Sequence, residues 1–191
     1  MRIAILTALL ALAVPTAATA RTWPDAGGWT IAEGGDFCIM TSEFEGPGDS
    51  ELYLTINADG LVLMADVNSA WSSQDGAVYK DITAVMGDTE YGGTDAIGVE
   101  VNGKKGFLVK LSPTMVDDIA AARSISLYKG EAKMDHLNLS GTGAAIAMTR
   151  RCVAALRADR AALEREAAAE RAKADREKAR FSDLAKDPFK P

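Results

Sequence analysis

The chain has 191 residues, 48% of them apolar and 25% charged, and a net charge of −6. These values suit a globular domain and exclude a disordered or fibrous chain. No run of 18 apolar residues occurs, which excludes a membrane-spanning helix in the mature chain, and the negative balance argues against nucleic acid as the main partner. One histidine, His136, and two cysteines cannot assemble a multi-histidine or four-cysteine metal centre.

Met1-Arg2 is a short positive start, Ile3 to Val14 is an apolar stretch ended by Pro15, and Ala18-Thr19-Ala20 offers the small side chains a signal peptidase accepts. Residues 1–20 therefore read as a secretory signal, with a mature periplasmic or secreted protein beginning at Arg21. In an oxidising compartment an even cysteine count signals a bridge rather than reactive thiols, so Cys38 and Cys152 are expected to pair. Closing a loop of 114 positions would stabilise the domain by about 4 to 5 kcal/mol.

From Trp29 to Ser140 the apolar residues recur with period two between short turn signals, the pattern of an antiparallel sheet. Leu52, Leu54 and Ile56 alternate with Tyr53, Thr55 and Asn57. After Asp59-Gly60, Leu61, Leu63, Ala65 and Val67 are expected on one face of the returning strand. In a second hairpin Ile97, Val99 and Val101 lead to a turn at Asn102-Gly103, where positive φ costs little. Phe107, Val109 and Leu111 are expected to return on the same face. Ser112-Pro113 reads as the cap and first residue of a short helix to about Arg123, with Asp117 and Asp118 near its positive end and Met115, Ile119 and Ala122 toward the sheet. A last hairpin turns at Gly130-Glu131, with Ile125 and Leu127 meeting Leu137 and Leu139.

At Gly141-Thr142-Gly143 the period changes to 3.6, and no glycine or proline interrupts the chain from Ala144 to Leu184. This stretch makes a helix about 60 Å long. Ala145, Met148, Cys152 and Leu156 form a stripe able to pack on the sheet, with Ser140 or Thr142 as cap. Between Leu163 and Phe181 there is no large apolar side chain. That half is expected to be solvated, held by alanine propensity and by Arg160–Glu164, Arg171–Asp175 and Lys173–Glu177 pairs four residues apart. Residues 21–149 hold 8 basic and 19 acidic side chains, and residues 150–191 hold 12 and 8. The basic C-terminal helix is thus a candidate contact for an acidic partner or an anionic surface. The expected division is a signal at 1–20, a β-rich domain at 21–156 that includes the first turns of this helix, and a charged helical extension at 157–191.

Catalytic machinery is not legible. His136 is the one imidazole, it falls in a predicted strand, and no Gly-x-Ser-x-Gly elbow accompanies it. Both thiols are assigned to the bridge. Gly141-Thr142-Gly143 lacks the third glycine of a dinucleotide loop and the lysine of a phosphate loop, so it reads as a helix start and implies no cofactor. Asp88 to Glu100 does not fit an EF-hand, because Gly92 stands fifth and Glu100 thirteenth, and no metal site is assigned. Trp71, between Asn68-Ser69-Ala70 and Ser72-Ser73, is a large aromatic in a polar loop and is the candidate binding residue. Trp29 reads as core.

Behind the signal, Gly28-Trp29-Thr30-Ile31, a cysteine soon after, Gly106-Phe107-Leu108-Val109 and Leu139-Ser140-Gly141-Thr142-Gly143-Ala144-Ala145 together resemble small exported proteins of alphaproteobacteria related to invasion-associated locus B. The resemblance covers about Trp29 to Cys152. Glu33 stands where that family usually carries a cysteine, and the family's bridges are local, so a Cys38–Cys152 pairing would be a departure. The resemblance implies a β-rich periplasmic or surface protein and carries over no catalytic residue. The expected fold is an antiparallel β-sandwich or partly closed barrel, with a short helix between strands and a long C-terminal helix. The expected function is a non-catalytic envelope protein that binds another protein through its sheets or its helix. The alternatives are a small-ligand carrier or hydrolase inhibitor with Trp71 near the contact, and an unrecognised envelope hydrolase.

Overall fold

The computed structural model describes residues 21–92 and 95–184, so the signal expected at 1–20 lies outside the described residues. In chain order the elements are β1 (Thr30–Gly34), β2 (Phe37–Phe44), β3 (Ser50–Asn57), β4 (Val62–Asn68), β5 (Val78–Tyr79), β6 (Ile82–Met86), β7 (Thr89–Tyr91), β8 (Ala96–Val101), β9 (Lys104–Leu111), α1 (Pro113–Ala121), β10 (Ser124–Lys129), β11 (Ala132–Asn138) and α2 (Thr142–Leu184). One sheet runs β1-β2-β3-β4-β9-β8-β5 and the other β11-β10-β6-β7. The pairs are antiparallel and neither sheet closes on itself, which makes the fold a sandwich rather than a barrel.

Alternation across the large sheet places Ile31, Met40, Leu54, Met64 and Val109 in one row over five strands, and all five are buried. Cys38, Ile56, Val62 and Leu111 form the next row on the same face. Burying each such aliphatic side chain contributes about 1.5 to 3 kcal/mol. The layer above this face is composite. α2 packs over β1, β2 and β3, contributing Ile146, Cys152, Val153 and Leu156 to the core. The second sheet and α1 cover β4 and β9, where Met64, Phe107 and Val109 meet Ile82, Ala84, Met115 and Leu127. The Cys38–Cys152 disulfide joins β2 to α2, with the two Cα atoms 6.1 Å apart.

Two strand faces differ from those the alternation suggests. In β4 the residues turned to the core are Val62, Met64 and Asp66, in register with Ile56, Leu54 and Leu52; Leu61 precedes the strand and is exposed, and Leu63, Ala65 and Val67 take the opposite face. In the β8–β9 hairpin the two-residue loop Asn102-Gly103, with φ of 52° and 78°, pairs Val101 with Lys104. A two-residue loop sets odd positions of one arm against even positions of the other. Phe107 therefore lies beside Gly98, whereas Ile97 faces outward and is 45% exposed.

The helices show similar refinements. Ser112 caps α1, its Oγ accepting the Met115 N–H at 3.1 Å, and the buried residues are Met115, Val116 and Ile119 rather than Ala122. Asp117 and Asp118 lie beyond the first turn, pairing with Arg150 at 2.6 Å and accepting from the Tyr91 hydroxyl. α2 is capped by Gly141, not by Ser140 or Thr142. The Gly141 carbonyl accepts from the Ala145 N–H at 3.2 Å, and its φ is 84°. A side chain there would run into the Gly27 carbonyl, because the helix start rests directly on the Gly27-Gly28 turn. Arg160 pairs with Asp59 at 2.7 Å and not with Glu164, and Arg171 donates to the Ala167 carbonyl at 3.1 Å instead of meeting Asp175. Exposed pairs four apart gain too little to hold two long side chains in one geometry.

Candidate functional site

Trp71 lies in the 69–77 loop that carries the chain from β4 to β5. Its polar composition suggests a mobile segment, but the loop is anchored on both sides of the ring. Buried Asn68 donates to the Pro47 carbonyl at 2.8 Å and to Ser50 Oγ at 2.9 Å, and accepts from the Ala70 N–H at 2.8 Å. Ser73 Oγ donates to the Gly106 carbonyl at 2.7 Å, and the Gln74 N–H donates to the Tyr79 hydroxyl at 2.9 Å. The Gln74 carbonyl sits where a Cβ on residue 98 would be, so only glycine lets the loop close against β8.

So held, Trp71 stacks on Phe107 with ring centroids 5.8 Å apart and planes 18° from parallel. These two rings, with Tyr79, Ile82, Lys129 and Met134, line a cavity of about 310 Å³ at the corner where the chain passes from β5 in one sheet to β6 in the other. Lys129 Nζ is 3.1 Å from an Asp81 oxygen and 6.0 Å from the Tyr79 ring centre, so its charge is met by a carboxylate. No histidine, cysteine or carboxylate is among the described residues lining the cavity. Its chemistry is that of a receptor for an apolar or aromatic group, at the small end of the roughly 300 to 1,000 Å³ usual for ligand sites.

Asp66 lies directly beside the floor of this cleft. It is opposite Phe107 in the β4–β9 register, fully buried, and neither carboxyl oxygen has a hydrogen-bond partner. Burial pushes its carboxyl well above the ordinary carboxylate range, and the negative charge of Asp135 adds to the effect. Asp135, on β11 of the opposite sheet, accepts from Ser50 Oγ and, at 2.7 Å, from the His136 N–H. Asn68, Ser50 and Asp135 thus form a polar chain between the sheets. The sequence reading missed Asp66; the signal for it was an acid at the third alternate position after Val62 and Met64.

His136 is exposed on the outer face of β11, its Nδ1 2.8 Å from Oγ of Ser126, the residue directly opposite on β10. This is a serine beside an imidazole on an open sheet surface. Among the described residues no carboxylate side chain hydrogen-bonds the other ring nitrogen to orient it. Among those same residues no group of three or more His, Cys, Asp or Glu side chains is placed to hold a metal ion, and no helix is long and apolar enough to cross a membrane.

At the base of the basic helix expected to reach a partner, three arginines are engaged within the molecule. Residues 150–160 hold four basic and one acidic side chain. Of these, Arg150 meets Asp117, Arg160 meets Asp59, and Arg157 donates to the Ala58 carbonyl at 2.7 Å. Residues 161–191 hold eight basic and seven acidic side chains, close to neutral, and every residue from 163 to 182 is exposed.

The chain matches no protein-family model and no curated protein. Among solved structures it is similar to invasion associated protein B from Bartonella henselae, at 14% identity over 73% of this chain and 98% of that chain, with a TM-score of 0.49. This is the kind of protein that the segments at Gly28, Gly106 and Leu139 resemble.

Proposed function

We propose that this is an exported, non-catalytic envelope protein that acts by binding another protein, and that its contact is the cleft at Trp71. The observation that carries the reading is the Trp71–Phe107 stack, fixed by an anchored loop and left open beside Tyr79 and Met134. Large aromatics around a desolvated pocket are the usual anchors of protein interfaces, and the cavity has room for an apolar or aromatic side chain of the partner. Export is supported by the leader-like residues at 1–20 and by a disulfide, which persists outside the reducing cytosol. The internal engagement of Arg150, Arg157 and Arg160 favours the cleft over the helix as the contact.

A pull-down from envelope extract tests this with three baits: the full chain, Trp71→Ala, and a chain ending at residue 162. The shortened chain retains the partners and Trp71→Ala loses them; the reverse outcome overturns the reading. The second reading, a small-ligand carrier, is supported by the volume and apolar lining of the same cavity and predicts retained small molecules in the native mass spectrum of the full chain.

A further inference from the structure

We propose that Asp66 and Asp135 form a proton-operated latch between the two sheets that sets how far the cleft at Trp71 opens, an inference that rests on reading the cleft as the binding site. The geometry begins with the row Leu52, Asp66 and Phe107 across β3, β4 and β9, which places the Asp66 carboxyl on the inner face of the large sheet. Asp135 is opposite buried Leu127 and accepts from Ser50 of the large sheet, so it faces the same seam from the other side. Both Asp66 oxygens are buried with no donor. A neutral carboxyl tolerates that position; a carboxylate there has neither water nor a cation and faces a second carboxylate.

Among the described residues no cation pairs with Asp66. Lys133 of β11, exposed, lines the neighbouring cavity beside Asp135 and Ser50, and Glu45 stands at its rim. Lys105 of β9 is exposed and lies opposite Asn68, and Lys104 is 2.7 Å from Glu51 on the outer face. Lys129 of β10 is paired with Asp81, and His136 of β11 is turned outward to Ser126. Once Asp66 ionises, relief comes from water entering the seam and from β4 and β9 parting from β11. Those strands build the cleft, since Phe107 is opposite Asp66 and Met134 is the chain neighbour of Asp135. Met134 also lines a second cavity of about 390 Å³ with Ser50 and Asp135, which brings water to the Asp135 side of the seam. The protonated latch is closed, and the ionised latch is open.

The test is acrylamide quenching of tryptophan fluorescence in the unliganded full chain from about pH 4 to pH 9. Subtracting the Trp71→Phe chain isolates the signal of Trp71. The quenching constant is expected to rise with pH by about twofold or more along a one-proton curve. In Asp66→Asn it is flat and low, and in Asp135→Asn the midpoint moves to lower pH because a like charge is gone. A flat wild-type profile, or the same rise in Asp66→Asn, overturns the latch. Should Asp66→Asn not fold, hydrogen exchange of the β9 amides in the wild type decides: protection falling along the same curve supports the proposal, and protection independent of pH overturns it. Neither readout involves a partner, so failure of the latch leaves the pull-down result for the cleft standing.

Discussion

Replacing Cys38 and Cys152 together by alanine removes the covalent link between β2 and the final helix while leaving the apolar contacts of Ile146, Val153 and Leu156 in place. Both cysteines are completely buried, so alanine is the right substitute; serine would bury a hydroxyl without a partner. The bond spans a sequence separation of 114, and a loop of that length removes about 5 kcal/mol of chain entropy from the unfolded state. Domains of this kind are stable by only about 5 to 15 kcal/mol, so the loss takes away a third or more of the total. At about 2 to 4 °C per kcal/mol for a chain of this size, Tm falls by about 10 to 20 °C. Thermal unfolding followed by circular dichroism, under oxidising conditions, measures it. The single variant Cys38→Ala should melt with the double variant, because one cysteine alone closes no loop. A fall of less than about 3 °C would refute the reasoning, as would natively exported protein with both thiols free.

Asp66→Asn tests the buried acid by equilibrium stability. Above the ordinary carboxyl value of 3.8 the unfolded chain releases a proton that the folded chain keeps, so wild-type stability falls with rising pH until the raised folded value is reached. The slope is at most about 1.4 kcal/mol per pH unit; urea midpoints at several pH values should show it in the wild type and lose it in Asp66→Asn. Gly98→Ala drives a Cβ into the Gln74 carbonyl and is expected to cost about 1 to 3 kcal/mol by urea denaturation. Gly46→Ala, which has open space and no positive φ, changes stability by less than about 0.5 kcal/mol. Ending the chain at residue 162 removes a stretch that is exposed from 163 to 182 and should move Tm by less than about 3 °C.

Much of the fold was legible because its signals are local. Period-two runs broken by Asp59-Gly60, Asn102-Gly103 and Gly130-Glu131 marked the hairpins, Ser112-Pro113 marked α1, and the glycine-free stretch after Gly143 marked α2. The two cysteines carried the single long-range contact that composition alone predicts, and the bridge is present. Strand faces were less legible, since β4 carries apolar residues on both faces and β8 turns its larger ones, such as Ile97, outward, and a one-residue change of parity exchanges the inside for the outside. Trp71 was visible as an aromatic in a polar loop. Its setting was not, because Phe107, Tyr79 and Met134 come from three separate strands and meet it only where the sheets join. Asp66 escaped notice for a related reason. One of many acids in the acidic domain, it is set apart only by the opposing sheet, which shuts out water and brings Asp135 near.

Hydrogen–deuterium exchange of the full chain with and without a partner retained in the pull-down tests the binding account most directly. Partner-dependent protection concentrated at residues 69–79 and 129–134, absent in Trp71→Ala, is the predicted result. Protection confined to 157–184, with the cleft unchanged, would contradict it and return the contact to the helix.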